Sequence, residues 1–313
     1  MDLVLTFGNG SDSLRLATAL YGEGLSGERG VEQIVFADGA IWNRADMKSH
    51  LSAPVPPPGA YVAIDGTSGD DHLISTAANE ALRGGAGGDL YDVFVGGGQD
   101  IIDDAGGAAG SGDTLRLHDY APTDLKLARD GDDLIVRFVG TTDEIRLTQS
   151  LGESADLAGV DQIAFDNGAI WTRADMKAQW LAGQADDGNQ TIRGFDGADQ
   201  LAGGRGNDTL AGGAGEDLYS FSAGDGQDII AETAGQGDDT LLIHGLDANA
   251  MTVIANGADL VLDFARSTDR IILRSALLNP AAGDGVDHIV FDDATNLTLG
   301  DLRLQASLPT PAV

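Results

Sequence analysis

Apolar and polar residues alternate along the middle of the chain with a period of two, which predicts short β-strands. The alternation covers residues 113–118, 124–129, 133–139 and 143–148, and the turn sequences Asp-Gly-Asp and Gly-Thr-Thr interrupt it. Residues 161–165 and 169–171 repeat the pattern on both sides of Asp-Asn-Gly, which is a hairpin signal. These residues therefore predict an antiparallel module of β-strands.

A second pattern has a period of nine residues. Three such units cover residues 66–92 and four cover residues 185–220, and each places a turn of six residues, Gly-rich in most units, before three residues of strand. The eighth residue of every unit is apolar and should point inward: Leu73, Leu82, Tyr91, Ile192, Leu201, Leu210 and Tyr219. Since successive units alternate between two faces, two units should complete one coil of a flattened right-handed parallel roll. Turns on the same edge then lie 18 residues apart.

Both patterns recur within a longer repeat of about 128 residues. The segment IVFADGAIWNRADMK at 34–48 returns as IAFDNGAIWTRADMK at 163–177, and more weakly at 289–303. The segment GGAGGDLYDVFVGGGQDII at 84–102 returns as GGAGEDLYSFSAGDGQDII at 212–230. The chain therefore contains about two and a half copies of one module.

The repeats and a cluster of prolines suggest where the chain divides. We predict a truncated β module at 1–51, a Pro-rich linker at 52–62, and two segments, each a roll plus a β module, at 63–182 and 183–313. The junction near residues 182–186 is short, so the last two segments should stack on each other. The abrupt start, without a basic and apolar leader, suggests a fragment of a longer protein.

Charge narrows the choice of partners. Fifty Asp and Glu oppose 18 Lys and Arg, which gives a formal net charge of -32. Such a chain repels nucleic acid and anionic membranes, and clustered acids need cations to offset their repulsion. A merely solubilising acidic surface is the alternative. The chain has no cysteine, so no disulfide staples it, and no apolar run long enough for a transmembrane helix.

The nonapeptides are best preserved at 194–220, as GFDGADQLA, GGRGNDTLA and GGAGEDLYS, and they resemble the calcium-binding repeats of the repeats-in-toxin (RTX, haemolysin-type) family. The segments after them, with DGDDLIV and IAFDNGAIW, resemble the haemolysin-type calcium-binding related domain. The resemblance implies an all-β fold in which parallel β-rolls alternate with antiparallel strand modules and short capping helices. It also implies Ca²⁺ as the cofactor and export from a bacterium through a type I channel.

Calcium takes six to eight oxygen ligands, which two stacked turns can supply as Asp carboxylates and backbone carbonyls. We predict three sites, one each from the pairs Asp71 with Asp89, Asp199 with Asp217, and Asp208 with Asp228. The last pair is 20 residues apart, which a longer strand before the closing turn 223–228 would explain. The turn glycines complete the predicted sites: Gly66, Gly69, Gly84, Gly85, Gly87, Gly194, Gly197, Gly203, Gly204, Gly206, Gly212, Gly213, Gly215, Gly224 and Gly226.

Two units depart from this pattern. The unit at 75–83 has lost the glycines of its turn and carries Glu80 at the Asp position, so the site that Glu80 would share with Asp100 should be empty. The unit at 185–193 carries Gln190 there, which should weaken any site with Asp208. The first roll should therefore bind fewer ions than the second. For any single turn, an Asp that only caps its own backbone is the competing interpretation.

A short helix should follow the hairpin in each copy. Thr172 with Asp175 three residues later is a capping-box signature, and Asn43 with Asp46 repeats it. Trp42 and Trp171 should pack beneath these helices, with stacking against a carbohydrate as the alternative.

Signatures of catalysis are missing from the sequence. None of the five histidines lies in a His-Glu-x-x-His zinc motif, and Gly-Thr-Ser-Gly at 66–69 is one residue short of a nucleophile elbow. The Gly-Gly runs lack the Lys-Ser/Thr that binds phosphate and magnesium. We therefore expect a non-catalytic, secreted or cell-surface bacterial module that folds on calcium and belongs to a larger exported toxin, hydrolase or adhesin. The alternatives are a carbohydrate-binding adhesin segment and, last, a stand-alone extracellular enzyme.

Overall fold

The computed structural model describes residues 61–104, 112–152, 159–232, 237–278 and 285–307, and the backbone of four strands nearer the N-terminus. The chain divides into two compact units, Met1–Val62 and Ala63–Val313. In the first unit β1 (Leu3–Thr6) pairs antiparallel with β2 (Ser13–Leu16), and β3 (Gln33–Val35) pairs antiparallel with β4 (Ile41–Asn43). The predicted cap at Asn43 and Asp46 and the side chain of Trp42 lie outside the described residues.

The larger unit contains two rolls in tandem, so the predicted segments 63–182 and 183–313 lie within one compact unit. The first roll consists of β5 (Val62–Asp65), β6 (His72–Ile74), β7 (Glu80–Arg83), β8 (Leu90–Val93), β9 (Gln99–Ile102), β10 (Thr114–Leu117), β11 (Leu125–Asp130), β12 (Asp133–Phe138), β13 (Glu144–Leu147), β14 (Gln162–Phe165) and β15 (Ile170–Thr172). One sheet has the strand order β6-β8-β10-β14-β15, and the other has the order β5-β7-β9-β13-β12-β11.

The second roll repeats this arrangement. Its strands are β16 (Thr191–Arg193), β17 (Gln200–Ala202), β18 (Thr209–Ala211), β19 (Leu218–Ser222), β20 (Gln227–Ile230), β21 (Thr240–His244), β22 (Met251–Asn256), β23 (Asp259–Phe264), β24 (Arg270–Leu273), β25 (His288–Phe291) and β26 (Asn296–Thr298). They form the sheets β16-β18-β20-β24-β23-β22 and β17-β19-β21-β25-β26. The repeated sequence thus produces a repeated topology.

The nine-residue period gives the predicted strands and the predicted inward face. Leu73 pairs with Tyr91 and Leu201 pairs with Tyr219, each in parallel register 18 residues apart. All seven inward residues are buried, with exposures of 4% or less. Strand β19 is two residues longer than β17, as the wider spacing of the closing turn requires. The core therefore lies between the two sheets of each roll, and all-β architecture follows from the period.

The strands after the nonapeptides continue the roll as well as forming antiparallel pairs. Strands β11, β12 and β13 form an antiparallel meander, and β14 and β15 form the predicted hairpin. However, β10 and β14 also pair in parallel on the sheet of β8, and β13 pairs in parallel with β9. Long chain segments separate these parallel strands in the sequence, but each segment ends in the next strand of the roll. The predicted antiparallel module is therefore an extension of the roll.

Helices close the repeat copies. Helix α1 (Arg173–Ala182) has the predicted capping box, in which the Thr172 hydroxyl accepts from the Asp175 N–H and the Asp175 side chain accepts from the Thr172 N–H. Helix α2 (Leu299–Ser307) follows β26, and Thr298 and Asp301 make the same bonds there. Two short 3₁₀ turns, Pro122–Asp124 and Ala248–Ala250, precede β11 and β22.

The junction between the rolls is packed, as the short connection predicts. The Trp180 ring of α1 lies edge-on to Phe195 of the second roll, with centroids 5.7 Å apart. The Arg129 guanidinium lies 4.4 Å from the Phe195 centroid and 5.5 Å from that of Trp180. Trp171 is half-buried against the core and contacts Phe165 edge-on, which fits the interpretation of a packing residue.

Candidate metal-binding turns

A ladder of aspartates runs along one edge of the first roll. The backbone N–H of Asp71 donates to Asp89 Oδ1 at 2.8 Å, and the N–H of Asp89 donates to Asp113 Oδ1 at 2.8 Å. The N–H of Asp113 donates in turn to Asp161 Oδ2 at 3.1 Å, and the Arg173 guanidinium pairs with the other oxygen of Asp161. Each carboxylate thus uses one oxygen to join its turn to the preceding layer.

The same edge of the second roll has the same ladder. It passes from Asp199 to Asp217 (2.9 Å), from Asp217 to Asp239 (2.9 Å) and from Asp239 to Asp287 (3.1 Å). On the opposite edge, Asp208 donates to Asp228 Oδ1 at 3.0 Å, and Glu80 donates to Asp100 Oδ1 at 2.9 Å. The three predicted aspartate pairs are therefore stacked as the spacing indicated.

The second carboxylate oxygen of three of these aspartates has no hydrogen-bond donor among the described residues. Within the described part of the chain, Oδ2 of Asp89, Asp208 and Asp217 is buried and accepts no hydrogen bond. The three residues are only 1%, 1% and 2% exposed. A buried charged oxygen without a partner is costly, and a bound cation is one way to satisfy it. The donor set, which consists of carboxylate and carbonyl oxygens, is the set that Ca²⁺ prefers.

Glycine at the first position of a unit makes room for its own aspartate. A Cβ on Gly84 would lie 2.0 Å from Asp89 Oδ2, and a Cβ on Gly212 would lie 1.9 Å from Asp217 Oδ2. The backbone N–H groups of these two glycines donate to the hydroxyls of Tyr91 and Tyr219. The carboxylate therefore folds over a bare backbone, and any side chain there would displace it.

Glycine at the second position brings a carbonyl of the preceding turn close. Gly85 has φ +102 and a Cβ there would meet the Thr67 carbonyl oxygen at 2.3 Å, while Gly213 has φ +111 and would meet that of Phe195 at 2.5 Å. Positive φ values also occur at Gly87, Gly197, Gly204, Gly206, Gly215, Gly224 and Gly226, whereas Gly66, Gly194 and Gly203 resemble Gly84 in crowding their own aspartate. Gly69 has open space around it and no positive φ. The stacked turns thus place backbone oxygens beside the carboxylates.

Burial raises the pKa of the stacked carboxyls. Loss of hydration is the largest cause at Asp217, whose pKa rises to about 6, and at Asp228, whose pKa rises to about 7. The backbone N–H bond from the preceding layer opposes the rise, and neighbouring acids add to it. The negative charge of these carboxylates is therefore poorly stabilised unless a cation binds to them.

In the first layer of each roll, one carboxylate oxygen of the aspartate caps the backbone of its own turn, which is the competing interpretation of a turn aspartate. Asp71 Oδ2 accepts from the Thr67 N–H at 2.5 Å, and Asp199 Oδ2 accepts from the Phe195 N–H at 2.6 Å. These two aspartates close their own turns while the next layer holds the oxygens without partners. Each predicted pair therefore joins aspartates from two stacked layers. Asp71 and Asp199 close their own turns, whereas Asp208, in the third pair, does not.

The departing units also stack. The Gln190 N–H donates to Asp208 Oδ1 at 2.6 Å, so the amide keeps the ladder without adding a charge. Glu80 is buried, and its carboxylate bonds to the Thr76 hydroxyl and to the Thr76 N–H. Burial, and then the neighbouring Glu80, raises the pKa of Asp100 to about 8. The turn of Glu80 thus satisfies its own carboxylate, while Oδ2 of the stacked Asp100 is buried without a hydrogen bond from the described residues.

The upper rungs of the ladders were not predicted from the sequence; they are Asp113, Asp161, Asp239 and Asp287. They lie outside the nonapeptides, so a nine-residue period does not reach them. Their common signal is an Asp two residues before an inward apolar residue, as Asp113 precedes Leu115 and Asp287 precedes Ile289. The nonapeptides carry the same Asp-x-apolar signal.

The two-sheet parallel coils define a β-roll protein. Its stacked turns carry carboxylate and carbonyl oxygens, which are the donors that a divalent cation prefers. Comparison with known families agrees with this class. The RTX calcium-binding nonapeptide repeat (4 copies) matches residues 63–91, 184–219 and 193–230, and the haemolysin-type calcium binding protein related domain matches residues 2–46 and 133–175. The chain is an RTX calcium-binding protein.

Comparisons with whole proteins add less. No curated protein matches the chain. Among solved structures, the extracellular lipase LipA from Serratia marcescens is 19% identical, with a TM-score of 0.26. The match covers 68% of this chain and 38% of the lipase, so this chain corresponds to well under half of that protein. No helix among the described residues is long and apolar enough to cross a membrane.

Proposed function

We propose that this chain is a calcium-coupled folding module that closes outside the bacterial cell, as part of a larger exported protein. One observation carries the proposal. Stacked turns hold buried carboxylate oxygens, at Asp89, Asp208 and Asp217, that accept no hydrogen bond from the described residues. The calcium-binding repeats give the identity of the expected ion.

The acids of the module make folding conditional. In a chain of net charge -32, stacked carboxylates repel one another, and the repulsion is strongest where water is excluded. Bound calcium supplies the positive charge that offsets this repulsion. Asp208 and Asp217 would hold ions through Oδ2, together with carbonyl oxygens of the adjacent layer such as those of Asp186 and Phe195. Because the turns exist only in the folded roll, binding free energy becomes folding free energy.

Location follows from the affinity expected for such sites. Extracellular-type calcium modules bind at about 10⁻⁴ to 10⁻³ M, which is above the calcium level of a cytosol and within reach of external media. The chain would therefore remain expanded before export and close after it. We further propose that the module is non-catalytic, since its buried acids face stacked turns, and that catalysis, toxicity or adhesion belongs to other parts of the exported polypeptide.

The test is far-UV circular dichroism of the purified chain during a calcium titration from chelator, with magnesium as the control ion. We expect a cooperative gain of β signal with calcium alone. The Asp199→Ala/Asp217→Ala variant should need at least tenfold more calcium. The matched control is Asp196→Ala/Glu216→Ala, which removes two exposed acids from the same two turns and should titrate like the unmodified chain.

A chain that is fully folded in chelator and indifferent to calcium would overturn the proposal. Equal effects of the two double variants would also overturn it, because they would show that only the net charge matters and not the position of the acids in the turns.

A further inference from the structure

Asp104 is a buried acid outside the nonapeptides. It follows β9, two residues beyond Ile102, just as Gly84 lies two residues beyond Leu82 in the layer below. Asp104 is 1% exposed, and neither of its carboxylate oxygens accepts a hydrogen bond of ordinary geometry from the described residues. A whole carboxylate thus lies inside the roll without a well-formed hydrogen bond from the described residues.

Two further buried acids surround Asp104. One oxygen each of Asp89, Asp104 and Asp113 lies within 4.8 Å of the other two. Asp89 and Asp113 are 1% and 2% exposed. They are consecutive rungs of the ladder, so Asp104 reaches in between the last nonapeptide turn and the turn that follows it.

A proton alone satisfies this group poorly. Burial is the largest cause of the rise in the pKa of Asp104 to about 8, and Asp113 and Asp89 raise it further while the Tyr91 hydroxyl lowers it. One proton shared between Asp104 and Asp113 would still leave the buried Oδ2 of Asp89 without a partner. Three carboxylates with oxygens within 4.8 Å of one another are instead the hard oxygen donors of a divalent cation.

We propose that Asp89, Asp104 and Asp113 form a further calcium site, which fastens the nonapeptide coil to the first long excursion of the chain. The site uses the calcium chemistry of the proposed function but draws two of its three carboxylates from outside the nonapeptides. It makes Asp104 the ligand that replaces the first-position glycine where the repeat ends.

The second roll offers an internal contrast. Glu232 follows β20 at the position that Asp104 has after β9. Its Oε1 accepts from the Gly212 N–H at 2.9 Å. Of the acids that the structure describes, only the group around Asp104 gathers three carboxylates this closely. The first roll therefore has this additional site although its opposite edge carries Glu80.

The experiment counts calcium ions bound by the full chain at saturation, by equilibrium dialysis. Asp104→Asn should bind one ion fewer than the unmodified chain. The matched control Asp103→Asn removes the neighbouring charge, keeps the bond that Asp103 accepts from Thr148, and should bind the full number. An unchanged count in Asp104→Asn would show that the three acids share only a proton and would overturn the site.

Two further arms separate this inference from the proposed function. If Asp199→Ala/Asp217→Ala loses ions and Asp104→Asn does not, only the site at Asp104 fails, whereas an unmodified chain that binds no calcium overturns both. Crystals of the unmodified chain grown in calcium decide the matter without a variant. Anomalous density at the three carboxylates supports the site, and calcium confined to the nonapeptide turns overturns it.

Discussion

Two turns at corresponding positions of the rolls differ in one property. Residues 75–80 of the first roll and 203–208 of the second occupy the same place in the 128-residue repeat, and both stack on the next layer through the backbone N–H of their last residue. In the second roll Asp208 leaves Oδ2 buried without a partner, whereas in the first roll Glu80 bonds to Thr76 of its own turn. Stacking and metal-binding capacity are therefore separable.

The difference originates at the first two positions of the turn. A Cβ on Gly203 would lie 2.2 Å from Asp208 Oδ2, so an aspartate cannot fold back over Ser75 in the same way. The longer Glu80 instead reaches the Thr76 hydroxyl, and Thr76 does not have the positive φ of Gly204. Glycine thus determines where the carboxylate lies, and the hydrogen-bond ladder determines whether the layers stack.

The largest expected effect comes from giving the second roll the turn of the first. Gly203→Ser/Gly204→Thr should lose one calcium ion and about 2–4 kcal/mol of unfolding free energy in saturating calcium, since a Thr at φ +82 is strained and clashes with the Asp186 carbonyl. Urea unfolding and ion counting would measure both. Gly69→Ala is the control, because open space and ordinary φ should make it neutral. An unaltered ion count in the double variant would contradict the steric explanation.

A smaller effect should separate the next-layer partners of the two turns. Asp228→Asn should raise the calcium concentration at the folding midpoint about tenfold, or about 1.4 kcal/mol, because it removes an anionic ligand. Asp100→Asn should shift it less than twofold, since Glu80, its partner in the stacked pair, bonds to Thr76 of its own turn and Asn still accepts the Glu80 N–H. Dichroism titrations of both variants test this contrast. Equal shifts would show that the edge with Glu80 also binds an ion.

This comparison also shows how far sequence reasoning extends. The period of nine predicts the strands, the inward residues and the stacked pairs because each depends on local spacing. The rungs at Asp113 and Asp161 follow excursions of irregular length, 24 and 48 residues from the preceding rung, so no period indicates them. The group around Asp104 depends on three segments meeting in space. What fixes it is the parallel register of β8 with β10 in one sheet and of β7 with β9 in the other, and one sequence without that register does not show it.

The pH dependence should distinguish the rolls in calcium-free buffer. An Asp whose pKa is higher in the folded than in the unfolded chain stabilises the fold below its unfolded pKa, about 3.9, and loses this contribution as pH rises through the folded value. Folding without calcium should therefore weaken between about pH 4 and 8, by roughly 1.4 kcal/mol for each pKa unit of the rise.

The window can be assigned to residues. Asp217 and Asp228 should lose their contributions near pH 6 and 7, and Asp100 and Asp104 near pH 8. Asp100→Asn/Asp104→Asn should therefore lower the upper end of the window by about one pH unit when β signal is followed by dichroism. A β signal that rises from pH 5 to pH 8 would contradict the sign of the argument. In calcium the dependence should reverse, because protons compete with the ion.

The smallest expected effect concerns the helix caps, which are the same in the two rolls. Thr172→Ala and Thr298→Ala each remove the hydroxyl that accepts a backbone N–H at 3.2 Å in the first turn of a helix. Each should lower the unfolding free energy by about 1 kcal/mol in saturating calcium, with the number of bound ions unchanged. Thr172→Ser, which keeps the hydroxyl, should stay within a few tenths of a kcal/mol of the unmodified chain. A cap variant that loses an ion would show that the helices control the turns, and the difference between the rolls could then no longer be attributed to the turn residues alone.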